Sequence, residues 1–266
     1  MKELAEGGLA DAEFAFASLL ITGVPGAQTG HKPDYEKAFT LYVRAAKKGH
    51  ADAAYHAALC YEHGRGSGAA PDETRALKMY RKAAIASHPG AMYRLGTILL
   101  YGSLNQPMNL RDSIKWLNLS ARFATPKHPQ ALYHLAVLHE HDPAKIRFSL
   151  ASSADISPQH ALSLYIRGAD LGYVPCQLRL GHAYQFGEIS AKVDPFESIR
   201  WYSVAAQRGS AEAMYELSAW HFTGAEDEDG KEVLPPNEIE AYLWARKAVD
   251  KGLVKAEYAG TLLDRR

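Results

Sequence analysis

The chain has 266 residues, 47% of them hydrophobic, and its 30 lysines and arginines balance 30 aspartates and glutamates. That is enough apolar material for one or two ordinary domains or one elongated array, and the zero net charge leaves no global field to draw nucleic acid or an anionic membrane. Two cysteines, Cys60 and Cys176, cannot build a disulfide framework, no run approaches the roughly 18 apolar residues of a membrane span, and MKELAEGGLADAEF is no signal peptide, so a cytosolic protein is expected.

Along the chain one phrase recurs. It reads GHADAAYHAALCYEHG at 49–64, SHPGAMYRLGTILLYG at 87–102 and GSAEAMYELSAWHFTG at 209–224. Its opening small residue returns as Ala12, Ala53, Ala91, Ala131, Cys176, Ala213 and Ala256, at spacings of 37–45 residues, the range of helical-hairpin repeats. Two places on stand Phe14, Tyr55, Tyr93, Tyr133, Leu178, Tyr215 and Tyr258. Five places on stand Ala17, Ala58, Gly96, Ala136, Gly181 and Ser218, with the bulkier Thr261 last. A closing glycine follows as Gly23, Gly64, Gly102, Gly187 and Gly224, whereas the fourth copy ends on His141. Small residues at one helical position let helices approach closely, and the glycine supplies the left-handed turn that ends a helix.

A second helix follows each phrase. It begins as Ala38, Leu41, Tyr42, Ala45, Ala46 and returns from Ala76, Ser113, Ala161, Ser198 and Ala241, always with apolar residues at steps of three and four on one face. Pro33, Pro71, Pro158, Pro195 and Pro236 mark the entries, with Ser157 or Asp194 available as caps. No segment alternates with period two, so no sheet is expected. A single hairpin cannot bury its apolar face, whereas stacked hairpins cover one another.

These features predict an all-α fold, a right-handed α-solenoid of about six helical hairpins forming a single repeat domain over 1–266. The units are 8–48, 49–87, 88–125, 126–172, 173–209 and 210–252, with 253–266 incomplete. Residues 24–33, 142–156 and the acidic 225–236 are expected as loops. The stub of helix before Gly8 and the stop within a helix after Ala256 lack the usual end caps, which predicts the core of a longer protein.

The pattern A-x-Y-x-L-G, then G, then A-x-x-W-Y-x-x-A-A-x-x-G resembles the Sel-one-like repeat, a cousin of the tetratricopeptide repeat, over nearly the whole chain. The runs SHPGAMYRLGTILLYGSLNQPMNLRDSIKWLNLSA, LGYVPCQLRLGHAYQFGEI, WYSVAAQRGSAEAMYELSAWHFTG and NEIEAYLWARKAVDKGLVKAEYA, within roughly 34–260, are similar to the fungal chitin synthase activator family. That resemblance implies a non-enzymatic regulatory subunit. It would bind the cytoplasmic part of a membrane-embedded catalytic chitin synthase, raise its activity and help place it at septum or bud neck through septin-associated scaffold proteins. It also implies a cytoplasmic protein peripheral to the plasma membrane. The long low-complexity flanks and C-terminal prenylation motif of many members are absent from this sequence, so membrane anchoring is not carried over to it; with no apolar span and no net charge, neither direct membrane insertion nor a nucleic-acid partner is expected.

The tetratricopeptide analogy implies that the first helix of each pair lines a concave groove, which would place Tyr55, Tyr93, Tyr133 and Tyr215 along one surface. Tyrosine suits partner binding because it offers rigid apolar area and a hydroxyl; the same position also serves hairpin packing. Asp52, Glu62, Arg94, Glu140, Arg179, Gln185 and Glu212 are the neighbours on that helix expected to read a partner. Trp116, Trp201 and Trp244, on the second helix, read as core.

Other chemistry is weakly signalled, and no cofactor or metal is expected. In HLAVLHEH, His134 and His139 are five apart and His139 and His141 point to opposite sides, which misses the i, i+3 or i+4 spacing of ligands. Glu226-Asp227-Glu228-Asp229 lacks the alternating ligands of a calcium loop, and Gly64-Arg65-Gly66-Ser67-Gly68 lacks the Gly-Lys ending of a phosphate loop. Neither cysteine has a base beside it. Three rival functions remain: an adaptor of a degradation or signalling complex, a hydrolase of the kind linked to cysteine-rich bacterial relatives, and a module that stacks chitin on its aromatic stripe.

Overall fold

The computed structural model describes residues 9–23, 32–66, 68, 70–141, 158–254 and 256. The chain divides into two compact units, Met1–Ala131 and Leu132–Arg266. The first holds α1 (Ala10–Thr22), α2 (Tyr35–Lys47), α3 (Ala51–His63), α4 (Glu73–Ile85), α5 (Pro89–Tyr101) and α6 (Leu110–Arg122). Helix α7 (Gln130–His141) starts at the boundary and leads into α8 (Pro158–Asp170), α9 (Val174–Phe186), α10 (Pro195–Gln207), α11 (Ala211–Thr223) and α12 (Glu238–Asp250). The predicted hairpins of an α-solenoid are therefore present, and in each the odd-numbered helix carries the recurrent phrase.

Local signals set the helix ends. Asp34, Asp72, Asn109, Asp194 and Asn237 cap the even-numbered α2, α4, α6, α10 and α12, each side chain accepting from the backbone N–H three residues on. Asp194 thus takes the expected role; Ser157 lies outside the described residues. The closing glycines Gly23, Gly64, Gly102, Gly187 and Gly224 all adopt φ between 66° and 78°, a region that costs other residues a Cβ clash; Gly64, Gly102 and Gly187 make the left-handed turn, whereas Gly23 and Gly224 continue extended.

The even helices bury their small face. Ala38, Ala45 and Ala46 of α2 and Ala76 and Ala83 of α4 are fully buried, as are Tyr80, Tyr165 and Tyr202. In two hairpins the residue five places after the opening small one is a glycine, with no room for a Cβ. A Cβ on Gly96 would sit 2.8 Å from Leu117 Cδ2, and one on Gly181 2.6 Å from Tyr202 Cε1. At the same crossing Ser113 Oγ donates to the Gly96 carbonyl at 2.7 Å, and Ser198 Oγ to that of Gly181 at 2.9 Å. Trp201 is buried, and Trp116 and Trp244 are half-buried against the core of their own units.

One expectation fails. The acidic stretch 225–236 is no plain loop: β1 (Ala225–Glu226) pairs antiparallel with β2 (Glu232–Leu234), with a bulge in the register. Asp227 closes the turn between them, its Oδ1 accepting from the N–H groups of Asp229 and Lys231. Strands this short carry no readable alternation. The stub before Gly8, residues 24–31, the excursion at 142–156, and Tyr258 and Thr261 of the final partial repeat lie outside the described residues.

Candidate protein-binding surface of the odd-numbered helices

The expected partner-reading residues form a constellation that repeats in register. Glu62 and Glu140 stand nine places after Ala53 and Ala131; Arg94 and Arg179 stand three places after Ala91 and Cys176. In the first unit the Arg94 guanidinium, on α5, forms an ion pair with Glu62 on α3, and the hydroxyl of buried Tyr80, on α4, donates to Glu62 Oε2 at 2.5 Å. In the second unit Arg179, on α9, pairs with Glu140 on α7, and Tyr165, on α8, donates to Glu140 Oε2 at 2.8 Å. Arg179 Nη1 also reaches Glu188 at 2.7 Å. One carboxylate thus joins three consecutive helices. Gln185 holds the glutamate's place in the next repeat and accepts from the Tyr202 hydroxyl at 2.8 Å.

The electrostatics follow. Burial pushes the Glu62 carboxyl up, but the Arg94 guanidinium and Tyr80 hydroxyl outweigh it and hold the group below its ordinary range. Burial and hydrogen bonding to the carboxylate raise Tyr80 and Tyr165 far above the usual phenol. The side chains of Arg94 and Arg179 are 32% and 21% exposed, so these residues link hairpins and still border solvent. Asp52 and Glu212, one place before the opening alanine, are exposed.

The tyrosine stripe is half-buried throughout. Tyr133 meets Tyr165 and Tyr173 edge-on with centroids 5.9 Å away. Tyr55 stacks on His88 at 4.4 Å and meets His128 edge-on at 5.6 Å. The stripe thus packs hairpins and leaves these residues partly exposed.

Sequence reasoning missed a histidine cluster around Tyr55. His50 and His88 cap α3 and α5, each Nδ1 accepting from the backbone N–H three residues on at 3.1 Å. His88 is buried, and its Nε2 lies 3.1 Å from Asp52. Its ring meets His128 at 4.9 Å, and Gly90 leaves room for that contact, since a Cβ there would lie 2.7 Å from His128 Nδ1. These side chains come from distant stretches of the chain; the signal was a histidine at the capping place in two repeats.

Burial, then the neighbouring His128, pushes the His88 imidazole down to about 4, against the upward pull of Asp52. Burial also lowers His56 and His128. The unfolded chain takes up a proton near pH 6.5 that the fold refuses, so stability is full above pH 6.5 and falls as the pH drops toward 4. By pH 5 the His88 contribution alone amounts to about 2 kcal/mol. Thermal melts at pH 7.5 and 5.0 are expected to show a lower Tm at pH 5.0, with a smaller gap in His88→Asn, which caps without titrating. An equal gap in both proteins would refute the assignment.

Burial pushes the Cys60 thiol up to about 11 and the Cys176 thiol up to about 12, so both stay protonated at neutral pH. Among the described residues no three His, Cys, Asp or Glu side chains gather as metal ligands. His139 is buried and meets His160 edge-on; the side chain of His141 lies outside the described residues.

The sequence pattern of the family described as Sel1 repeat matches residues 24–50, 51–88, 89–122, 151–173, 174–210 and 211–253. The chain belongs to the Sel1 repeat family. Chitin synthase regulatory factor 3 of Schizosaccharomyces pombe is 37% identical over 86% of this Sel1 repeat chain and 23% of its own length. Chitin synthase regulator SKT5 of Saccharomyces cerevisiae is 32% identical over 97% of this chain and 35% of its own. The chain therefore spans about a quarter to a third of these relatives. A Sel1 repeat protein from Oxalobacter formigenes superposes with a TM-score of 0.65 at 24% identity, covering 84% of this chain and 81% of that one, a likeness of fold. Among the described residues no helix is long and apolar enough to cross a membrane.

Proposed function

We propose that this Sel1 repeat chain is a non-catalytic regulatory scaffold that binds the cytoplasmic part of a fungal chitin synthase and activates or localises it. The observation that carries the reading is the 32–37% identity, over 86–97% of the chain, to proteins named as chitin synthase regulators. The geometry supports a binding role: the odd-numbered helices present half-exposed tyrosines beside exposed Asp52 and Glu212, rigid aromatic area next to charge. Binding favours one state of the synthase only through a difference in affinity between its states. In this reading the protein works at the plasma membrane of the septum or bud neck, with septin-associated scaffold proteins as further partners.

The test is a titration of the chain against the cytoplasmic segments of the chitin synthase from the same organism. Reversing Arg94 and Arg179 would break the pairs between hairpins, so the informative variant is Asp52→Asn with Glu212→Lys. Binding about tenfold weaker than wild type is expected, with an unchanged melt at pH 7.5. Unchanged affinity overturns this placement of the surface, and no saturable binding by the unaltered chain overturns the partner.

A further inference from the structure

The β-ribbon of the second unit borders an open cleft of about 600 Å³ between the entry to α10 and the turn and second strand of the ribbon. The cleft is lined by Glu232 and Val233 of β2 and by no residue of β1. Within the described residues β2 pairs on one side only, with β1, and the cleft adjoins β2 but not β1. A strand paired on one side offers a row of N–H and C=O groups on the other. Across from it stand Val193 and Phe196, 48% and 61% exposed. An aromatic ring left so open beside a free strand edge is surface without a covering.

Charge decides the occupant. Glu228, Asp229 and Glu232 are exposed on the cleft wall, and among the described residues none of them forms an ion pair. Asp227 and Asp194 are spent on the turn and on capping α10. Lys192 and Lys231 are the cations of the lining, so acidic groups prevail. The surrounding unit has the same sign: Leu132–Arg266 carries nineteen aspartates and glutamates against fourteen lysines and arginines, whereas Met1–Ala131 carries eleven against sixteen. A chain neutral overall thus presents an acidic unit that draws a basic ligand.

We propose that this cleft docks an extended basic peptide segment of a partner protein. The segment adds a third strand to the free edge of β2, sets alternate apolar side chains on Val193 and Phe196, and points lysines or arginines at Glu228, Asp229 and Glu232. Backbone pairing supplies the affinity, and the acidic rim selects the charge. The surface is separate from the odd-helix face, so either proposal can fail alone.

A fluorescent eight-residue peptide alternating lysine and valine, titrated into the full chain and followed by anisotropy, tests the idea. Saturable binding is expected, weakening with added salt, about tenfold weaker in Glu228→Lys/Asp229→Lys/Glu232→Lys, and similarly weakened in Val233→Pro, which removes an edge N–H. The ribbon lies outside the helical hairpins, so each variant should keep the wild-type helical circular dichroism and melt. No binding by the unaltered chain, equal binding of a glutamate–valine peptide, or full binding by Val233→Pro overturns the proposal. So does self-association of the free chain in sedimentation that is lost on the triple charge reversal, since a second copy would then be the occupant.

Discussion

Arg94→Ala is expected to cost about 2–4 kcal/mol of stability, read as a fall of several degrees in Tm and a lower urea midpoint by circular dichroism. The reason is what it leaves behind. The Glu62 side chain is 11% exposed, and without the guanidinium it keeps only the Tyr80 hydroxyl as a strong partner. A carboxylate in that setting is poorly solvated and poorly paired. Replacing both members, as Arg94→Leu with Glu62→Leu, should restore most of the loss, because the double variant buries no charge. Tyr80→Phe should cost less than Arg94→Ala, since it removes one hydrogen bond and leaves the ion pair. If Arg94→Ala changed stability by no more than a surface ion pair does, below about 1 kcal/mol, the carboxylate would not be the tie between hairpins.

Gly181→Val is expected to be at least as damaging, about 3 kcal/mol. The added Cβ meets the Tyr202 ring at 2.6 Å, and that ring is fully buried and tethered through its hydroxyl to Gln185. The ring cannot step aside without breaking the bond, so α9 and α10 must separate. Gly181→Ala gains up to about 1 kcal/mol of helix propensity against the same clash, so a smaller net loss is expected. Shortening the opposing side chain with Tyr202→Leu should recover part of the Gly181→Ala loss. A wild-type melt for Gly181→Val would show that the two helices tolerate a wider spacing.

Much of this architecture is legible in the chain. The small residues at fixed places, the apolar stripe of the following helix and the glycine stops are local signals, and the observed elements follow them. The ion-pair constellation is not local: Glu62, Tyr80 and Arg94 belong to three helices and look like ordinary solvated charges until the repeats are aligned. Arg94 and Glu62 were expected to read a partner; the structure pairs them with each other. The histidines mislead in the opposite way. HLAVLHEH is dense along the chain, while the cluster that forms around Tyr55 draws on His88 and His128, brought together by the packing of successive hairpins. The ribbon escaped because five strand residues with a bulge leave no period to detect.

The carboxylate at the ninth place and the arginine at the third place of the following repeat act as a lock and its key, and only some repeats carry them. Glu62 matches Arg94, and Glu140 matches Arg179. After Ala213 the third place holds Glu216, which could not serve Glu62 or Glu140. The hairpins share a shape yet are not interchangeable parts. Removing one whole repeat in frame, from Ala91 to the residue before Ala131, would take out one hairpin, α5 and α6, and offer Glu62 a histidine, His134, where it has an arginine. The order of the repeats is thus written into the protein as pairing rules, much as complementary ends dictate the order of joined fragments.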